Sequence, residues 1–261
     1  MEGIFKLSCV LLFITLTSCD ILEDSSATIA PLDSKINFKV IESYDRYETV
    51  SAPEIFIEMQ TEKIYPCYNY GIANRIRIED RKLIVDIVGI AKSSVCATAL
   101  GPANARIKLG YITGVYGIEF NGDNFNDKYN LLISDSLIIL DGKETPNTNP
   151  SVYFMYRYPK NSFAYIWNRG TSDSLICLGF MDTLKSVISL NEFSFSNLAE
   201  IPYFHKPSQY ESVTYYYYDS ESDFNKISSV MANYKQAHFP NDEVYISIYS
   251  WMNKKIYSWM L

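Results

Sequence analysis

Asp141-Gly142-Lys143-Glu144-Thr145-Pro146-Asn147-Thr148-Asn149-Pro150 carries no apolar side chain except its two prolines. Ten such residues supply nothing to a hydrophobic core, and the prolines stiffen the backbone. The stretch reads as the joint between two domains, with 143–150 as the linker, 34–142 before it and 151–261 after it.

On the amino-terminal side the pattern is all β. Alternation or short apolar runs occupy Ile36–Ile41, Ile55–Met59, Ile64–Tyr70, Arg75–Glu79, Leu83–Ile87, Ala105–Leu109, Val115–Phe120, Tyr129–Ile133 and Leu137–Leu140. Turn signals separate them at Glu79-Asp80-Arg81, Gly101-Pro102, Gly110, Asn121-Gly122-Asp123 and Ser134-Asp135-Ser136. Short strands at this spacing predict a β-sandwich. Gly114-Val115-Tyr116-Gly117-Ile118, followed by Asp127-Lys128-Tyr129-Asn130-Leu131, resembles the late strands of bacterial immunoglobulin-like domains. That resemblance covers about a third of the domain and implies architecture, not a ligand.

On the carboxy-terminal side the periods mix. Val152–Tyr158 and Phe163–Trp167 read as strands, and Asp173–Ser189 places Ile176, Phe180, Leu184 and Val187 at helical spacing. A strand at Ser212–Tyr218 precedes a second helix from Glu221, with Ser220 as its cap, Asp223 as a capping-box partner, and Phe224, Ile227, Met231 and Tyr234 as its stripe. Glu243–Trp251 and Lys255–Met260 close the chain as strands. The order predicts two helices on one face of a sheet. The fold class is therefore mainly β with an α+β second domain.

Strand parity sharpens the expectation, because successive side chains point to opposite faces. Val244, Ile246 and Ile248 share one parity, whereas Tyr245, Tyr249 and Trp251 share the other. Phe163, Tyr165 and Trp167 also share a parity, as do Tyr257 and Trp259. With the helices over the aliphatic face, the opposite face becomes an aromatic wall, and Tyr245, Tyr249, Trp251, Tyr257 and Trp259 are its candidate ligand-binding residues. A wall of that kind is either docked against the first domain or another chain, or used as a platform for sugar rings or a partner's side chains.

The front of the chain speaks to location. Lys6 precedes an apolar run from Leu7 to Leu16, broken by Ser8 and Thr15 and too short to span a bilayer. Leu16-Thr17-Ser18-Cys19 then resembles the lipobox of bacterial lipoproteins, cleaved by the type II signal peptidase. The resemblance implies a signal peptide at 1–18 and a mature chain starting at Cys19, acylated on its thiol and amino group. One acyl chain holds a protein only marginally, and several hold it durably. A non-lipidated signal peptide or an uncleaved anchor is the competing reading. Residues 19–33, with Asp20, Glu23 and Asp24 leading into Ser25-Ser26-Ala27-Thr28, read as an acidic tether. Acidic residues at this place act as sorting signals in some bacterial groups, for inner-membrane retention in one and export to the cell surface in another, so the leaflet stays open; the expectation is the bacterial envelope, with outer membrane or cell surface favoured over inner membrane. The overall layout is similar to that of lipoproteins common in glycan-degrading bacteria.

Composition removes some functions. The net charge is -7, and removing residues 1–18 deletes one Glu and one Lys, which leaves it unchanged. Arg75-Ile76-Arg77 with Arg81-Lys82 is the densest basic cluster, too little for a nucleic-acid surface. Tyrosine stands out with 22 copies, which suits a strand-rich chain. Past Cys9 and Cys19, three cysteines remain. Cys67 and Cys96 both lie in the first domain and can pair in an oxidising compartment, with two buried thiols as the alternative. Cys177 falls on a helical stripe and reads as a buried thiol.

Catalytic patterns are weak. His205, within Tyr203-Phe204-His205-Lys206-Pro207, has no nucleophile-elbow serine to activate, and His238 suits the carboxyl end of a helix. Asp123 with Asp127, or Glu221 with Asp223, form sequence pairs whose adjacency does not establish a glycosidase cleft. Asp123-Asn124-Phe125-Asn126-Asp127 lacks the glycine and distal glutamate of a calcium-binding hand. No cofactor or metal is expected. The reading is a lipid-anchored, non-enzymatic envelope protein with a binding or structural role towards a protein partner. A glycan-binding lipoprotein using the aromatic face is the second reading, and a hydrolase with an unrecognised site the third.

Overall fold

The computed structural model describes residues 28–44, 52–168, 174–201, 211–241 and 243–261. The lipobox with Cys19 and the His205 segment lie outside the described residues.

The first unit is built from β1 (Thr28–Ala30), β2 (Ile36–Ser43), β3 (Glu54–Tyr65), β4 (Gly71–Glu79), β5 (Lys82–Lys92), β6 (Gly101–Gly110), β7 (Gly114–Gly122), β8 (Phe125–Ile133), β9 (Leu137–Asp141), β10 (Thr148–Pro150) and β11 (Phe154–Tyr156). They form one sheet in the order β10-β2-β3-β6-β4-β5-β7-β8-β9-β11, with β1 added to β5. The two layers of the sandwich are the two halves of this one curled sheet. Alternate residues point inward from every long strand, so Phe38, Ile57, Val85, Phe120, Leu131 and Leu140 meet in a single core. The β4–β5 hairpin turns on Asp80 and Arg81, both left-handed at φ 45° and 62°, which matches the twist of the strands it joins. Gly89 is required where β1 crosses β5, because a Cβ there would stand 2.3 Å from the Ala30 carbonyl oxygen.

The joint between the units falls later than the sequence suggests. Residues 143–150 are only partly a solvated linker: Lys143, Glu144 and Pro146 are exposed, but Thr148–Pro150 pairs in parallel with Ile36–Phe38 and Thr148 is fully buried. The cause is a buried carboxylate: Asp127 Oδ2 accepts the hydroxyls of Thr145 at 2.5 Å and Thr148 at 2.8 Å. Polar residues can fill a core when each finds a partner, and an apolarity count does not see that. β11 pairs with β9, so Phe154–Tyr156, the middle of the expected strand Val152–Tyr158, belongs to the first sheet instead of the second domain. The chain crosses over at residues 157–161.

Other boundaries shift as well. The end of the expected tether is structured: Thr28–Ala30 pairs with Ile90–Lys92, and Asp33 accepts the Tyr65 hydroxyl at 2.7 Å. The expected strand Ile64–Tyr70 splits, its first two residues ending β3 and the remainder turning towards β4. Gly101-Pro102 opens β6 instead of making a turn.

The second unit comprises β12 (Ser162–Asn168), α1 (Ser174–Val187), β13 (Leu190–Phe193), β14 (Glu211–Tyr218), α2 (Glu221–His238), β15 (Ile246–Ser250) and β16 (Lys255–Tyr257). A 3-10 turn at Ser258–Met260 ends the last element, where a continued strand was expected. The sheet order is β13-β14-β12-β15-β16, antiparallel throughout. Both helices lie on one face, where Phe180, Leu184, Ile227 and Met231 pack against Phe163, Ile246 and Ile248. Ser220 stands at the α2 N-cap, but its hydroxyl donates to the Asp223 carboxylate at 2.7 Å and caps no backbone amide.

Candidate functional site

The aromatic wall divides into three parts. Phe163, Tyr165 and Trp167 share a face, as parity requires, but it is the helix-covered face. Tyr165 pairs opposite Ile248 and Trp167 opposite Ile246, and directly opposed residues point the same way. The sequence orders faces within a strand and leaves the match between strands to register.

The centre of the opposite face is docked. Ala164, Ile166 and Tyr215 cluster there with Tyr44 from the end of β2 and with Tyr158 from the crossover, and Phe193, Phe195 and Ile201 pack around them. Tyr44 and Tyr158 meet edge to face at 5.3 Å. The two units are therefore joined by rings.

The edge is open at Tyr245 and Trp259, while Tyr249 and Tyr257 are partly buried and Tyr249 packs against the docked cluster. Tyr245 meets Trp259 at 5.8 Å, Trp259 meets Tyr257 at 4.6 Å, and Tyr257 meets Tyr249 at 5.7 Å, so four of the five expected residues form one strip. Tyr245 is 53% and Trp259 40% exposed. Buried Ser258 sets this geometry: its hydroxyl donates to the Val244 carbonyl at 3.1 Å and accepts the Ile246 N–H at 3.0 Å. That clamp ties the 3-10 turn to β15 and lays Trp259 beside Tyr245. The strip is a ridge, not a flat plane, since neighbouring rings are inclined by 64°, 31° and 83°.

Trp251 is not part of it. β15 ends at Ser250, the chain turns through Asn253 at φ 61°, and the Trp251 indole N–H donates to the Tyr218 hydroxyl at 2.9 Å. Parity does not carry through a turn.

The remaining candidates have structural roles. Cys67 and Cys96 are joined by a disulfide with their Cα atoms 5.2 Å apart, and Cys177 is buried without one. Asp123 sits in the β7–β8 turn while Asp127 points into the core at Thr145 and Thr148, so the two are not a carboxylate pair. Glu221 is paired with Lys254, and Asp223 is held below the usual carboxylate range by hydrogen bonds from Lys226 and Ser220. His238 stacks on Tyr234 at 4.1 Å in the last turn of α2. Among the described residues no group of three or more His, Cys, Asp and Glu is arranged to hold a metal ion.

Sequence reading missed the buried ion pair of Glu42 and Arg157. Arg157 Nε–H and Nη2–H donate to Glu42 Oε1 at 2.9 and 2.6 Å, and Tyr44 donates to Oε2 at 2.6 Å. Burial, then the Glu42 charge, pushes the Tyr44 phenol well up. A signal was present: Glu42 stands at the same parity as Ile36, Phe38 and Val40, and is as buried as they are.

No family model, curated protein or solved structure matches the chain.

Proposed function

We propose that this is a lipid-anchored protein of the bacterial envelope that binds a protein partner and performs no chemistry of its own. The anchor is Cys19, and the contact surface is the strip Tyr245, Tyr249, Tyr257 and Trp259. The single observation that carries the binding role is the exposure of Tyr245 and Trp259, 53% and 40%, at one end of this strip. Aromatic side chains offer large, rigid contact area at small entropic cost, which suits the centre of an interface. Among the described residues no helix is long and apolar enough to cross a membrane, and acyl chains on Cys19 would supply the attachment.

The test is a photoreactive amino acid at position 245 in living cells. One discrete cross-linked species is expected, absent when Trp259→Ala is added and absent when the probe stands at Lys128. Equal cross-linking from both positions would refute the role of the strip.

A second reading has its own observation. Trp259 is 40% exposed and is backed by Tyr257 at 4.6 Å, so its outward ring face is of the kind on which a pyranose ring stacks. Binding of a soluble oligosaccharide that Trp259→Ala abolishes would favour this glycan reading over the protein partner.

A further inference from the structure

The outer face of the first sheet carries a row of four amides that no single strand reveals. Asn149 stands opposite Asn37, Asn37 opposite Gln60, and Gln60 opposite Asn104, on the adjacent strands β10, β2, β3 and β6. One step further along the strands, Lys39 stands opposite Glu58 and Glu58 opposite Arg106, giving an ionic row beside the amide row. Adjacent strands lie about 4.8 Å apart, so each row presents polar groups at a regular step across the sheet.

The rows line a cleft of about 630 Å³, bounded by Asn37, Gln60 and Asn104 and by Lys39, Glu58 and Arg106. The volume lies within the range of small-molecule sites. Lys39, Glu58 and Arg106 also line a second cleft of about 340 Å³, which runs on to Tyr44, Glu200 and Ile201 where the two units meet. The two clefts follow one another along β2, from Asn37 past Lys39 to Tyr44, so the groove is elongated parallel to the strands and takes an extended ligand better than a compact one.

Its surface is already ordered. Asn149 donates to the Asn37 side-chain oxygen at 3.1 Å, and Asn104 donates to the Pro102 carbonyl at 2.9 Å, which fixes both amide planes. Glu58 holds Lys39 at 3.3 Å and Arg106 at 3.4 Å, and the Arg106 guanidinium lies 4.0 Å from the Phe56 ring centre. The exposed Gln60 side chain makes no hydrogen bond to the described residues, which leaves its amide donors and acceptor for solvent or a ligand.

We propose that this cleft binds an oligosaccharide chain laid along the strands, which meets the amide row and then the ionic row. A carboxamide offers one acceptor and two donors, matching a hydroxyl that both donates and accepts. A peptide needs apolar pockets for its side chains or an open strand edge, whereas most of the residues that line this groove are polar or charged. The site is separate from the aromatic strip and does not depend on it.

The test is calorimetric titration of the full-length chain in detergent micelles with cellohexaose, xylohexaose, mannohexaose and an oligogalacturonate. At least one is expected to bind. Gln60→Ala and Asn104→Ala, both at exposed positions, are each expected to weaken it about fivefold, the effect of one lost hydrogen bond. Trp259→Ala is expected to leave it unchanged. Binding of none of the four sugars would overturn the proposal, as would binding lost with Trp259→Ala and kept in Gln60→Ala/Asn104→Ala. A peptide that competes for the cleft where no sugar does would overturn it too.

Discussion

Arg157 reaches back across the joint between the two units and places two N–H groups on one oxygen of Glu42, while its Nη1 donates to the Ser134 carbonyl at 2.6 Å. The Glu42 side chain is almost completely buried and that of Arg157 mostly so. A crossover residue thus holds the end of β2 and the loop before β9 together, directly beside the Tyr44–Tyr158 contact.

Removing one partner leaves the other charged and buried, which costs about 3 to 5 kcal/mol. Glu42→Ala and Arg157→Ala are each expected to lower stability by that amount in urea denaturation. Glu42→Met combined with Arg157→Met, which leaves no orphaned charge, is expected to cost less than either. Equal or additive losses would show that the pair is not coupled.

Alkaline pH is expected to loosen the fold through its tyrosines. Burial pushes Tyr215 and Tyr216 up to about 12, and raises Tyr44, Tyr65 and Tyr165 as well. A raised phenol contributes stability in full below the unfolded value of about 10 and loses it as pH climbs towards the folded value. Stability is therefore expected to fall above pH of about 10. Phenolate absorbance should show the buried tyrosines ionising only together with unfolding; gradual, non-cooperative ionisation would contradict this.

The Cys67–Cys96 disulfide closes a loop across 29 positions. In the chain-entropy model a loop of that size contributes about 3 to 4 kcal/mol. Cys67→Ala with Cys96→Ala is expected to lose that much in denaturant titration and keep the circular dichroism of a β-rich chain. A stability unchanged by the double substitution would contradict the entropic account.

Much of the fold was legible because its strands obey simple parity. In β2 every second residue is buried without exception, and the same alternation marks β8. The two helices were visible from their stripes. What stayed hidden depends on register or on buried polar groups. Thr145 and Thr148 look like linker until Asp127 is seen between them. Phe163 and Tyr165 look like wall until they are aligned with β15. The amide row joins Asn149 to Asn37, 112 positions away, so no local pattern could announce it. Four strip residues were legible because Tyr245 and Tyr249 are four apart and Tyr257 and Trp259 two apart, both even separations, whereas Trp251 lies past the strand end.

The central claim is attachment through acylated Cys19, and the most direct measurement is the distribution of the chain between membrane and soluble fractions in cells carrying Cys19→Ser. The account predicts that the unaltered protein sediments with membranes, that its amino-terminal peptide carries fatty acyl mass, and that the serine variant loses both properties. A serine variant as firmly membrane-bound as the original, or an original chain with an unmodified Cys19, would contradict it.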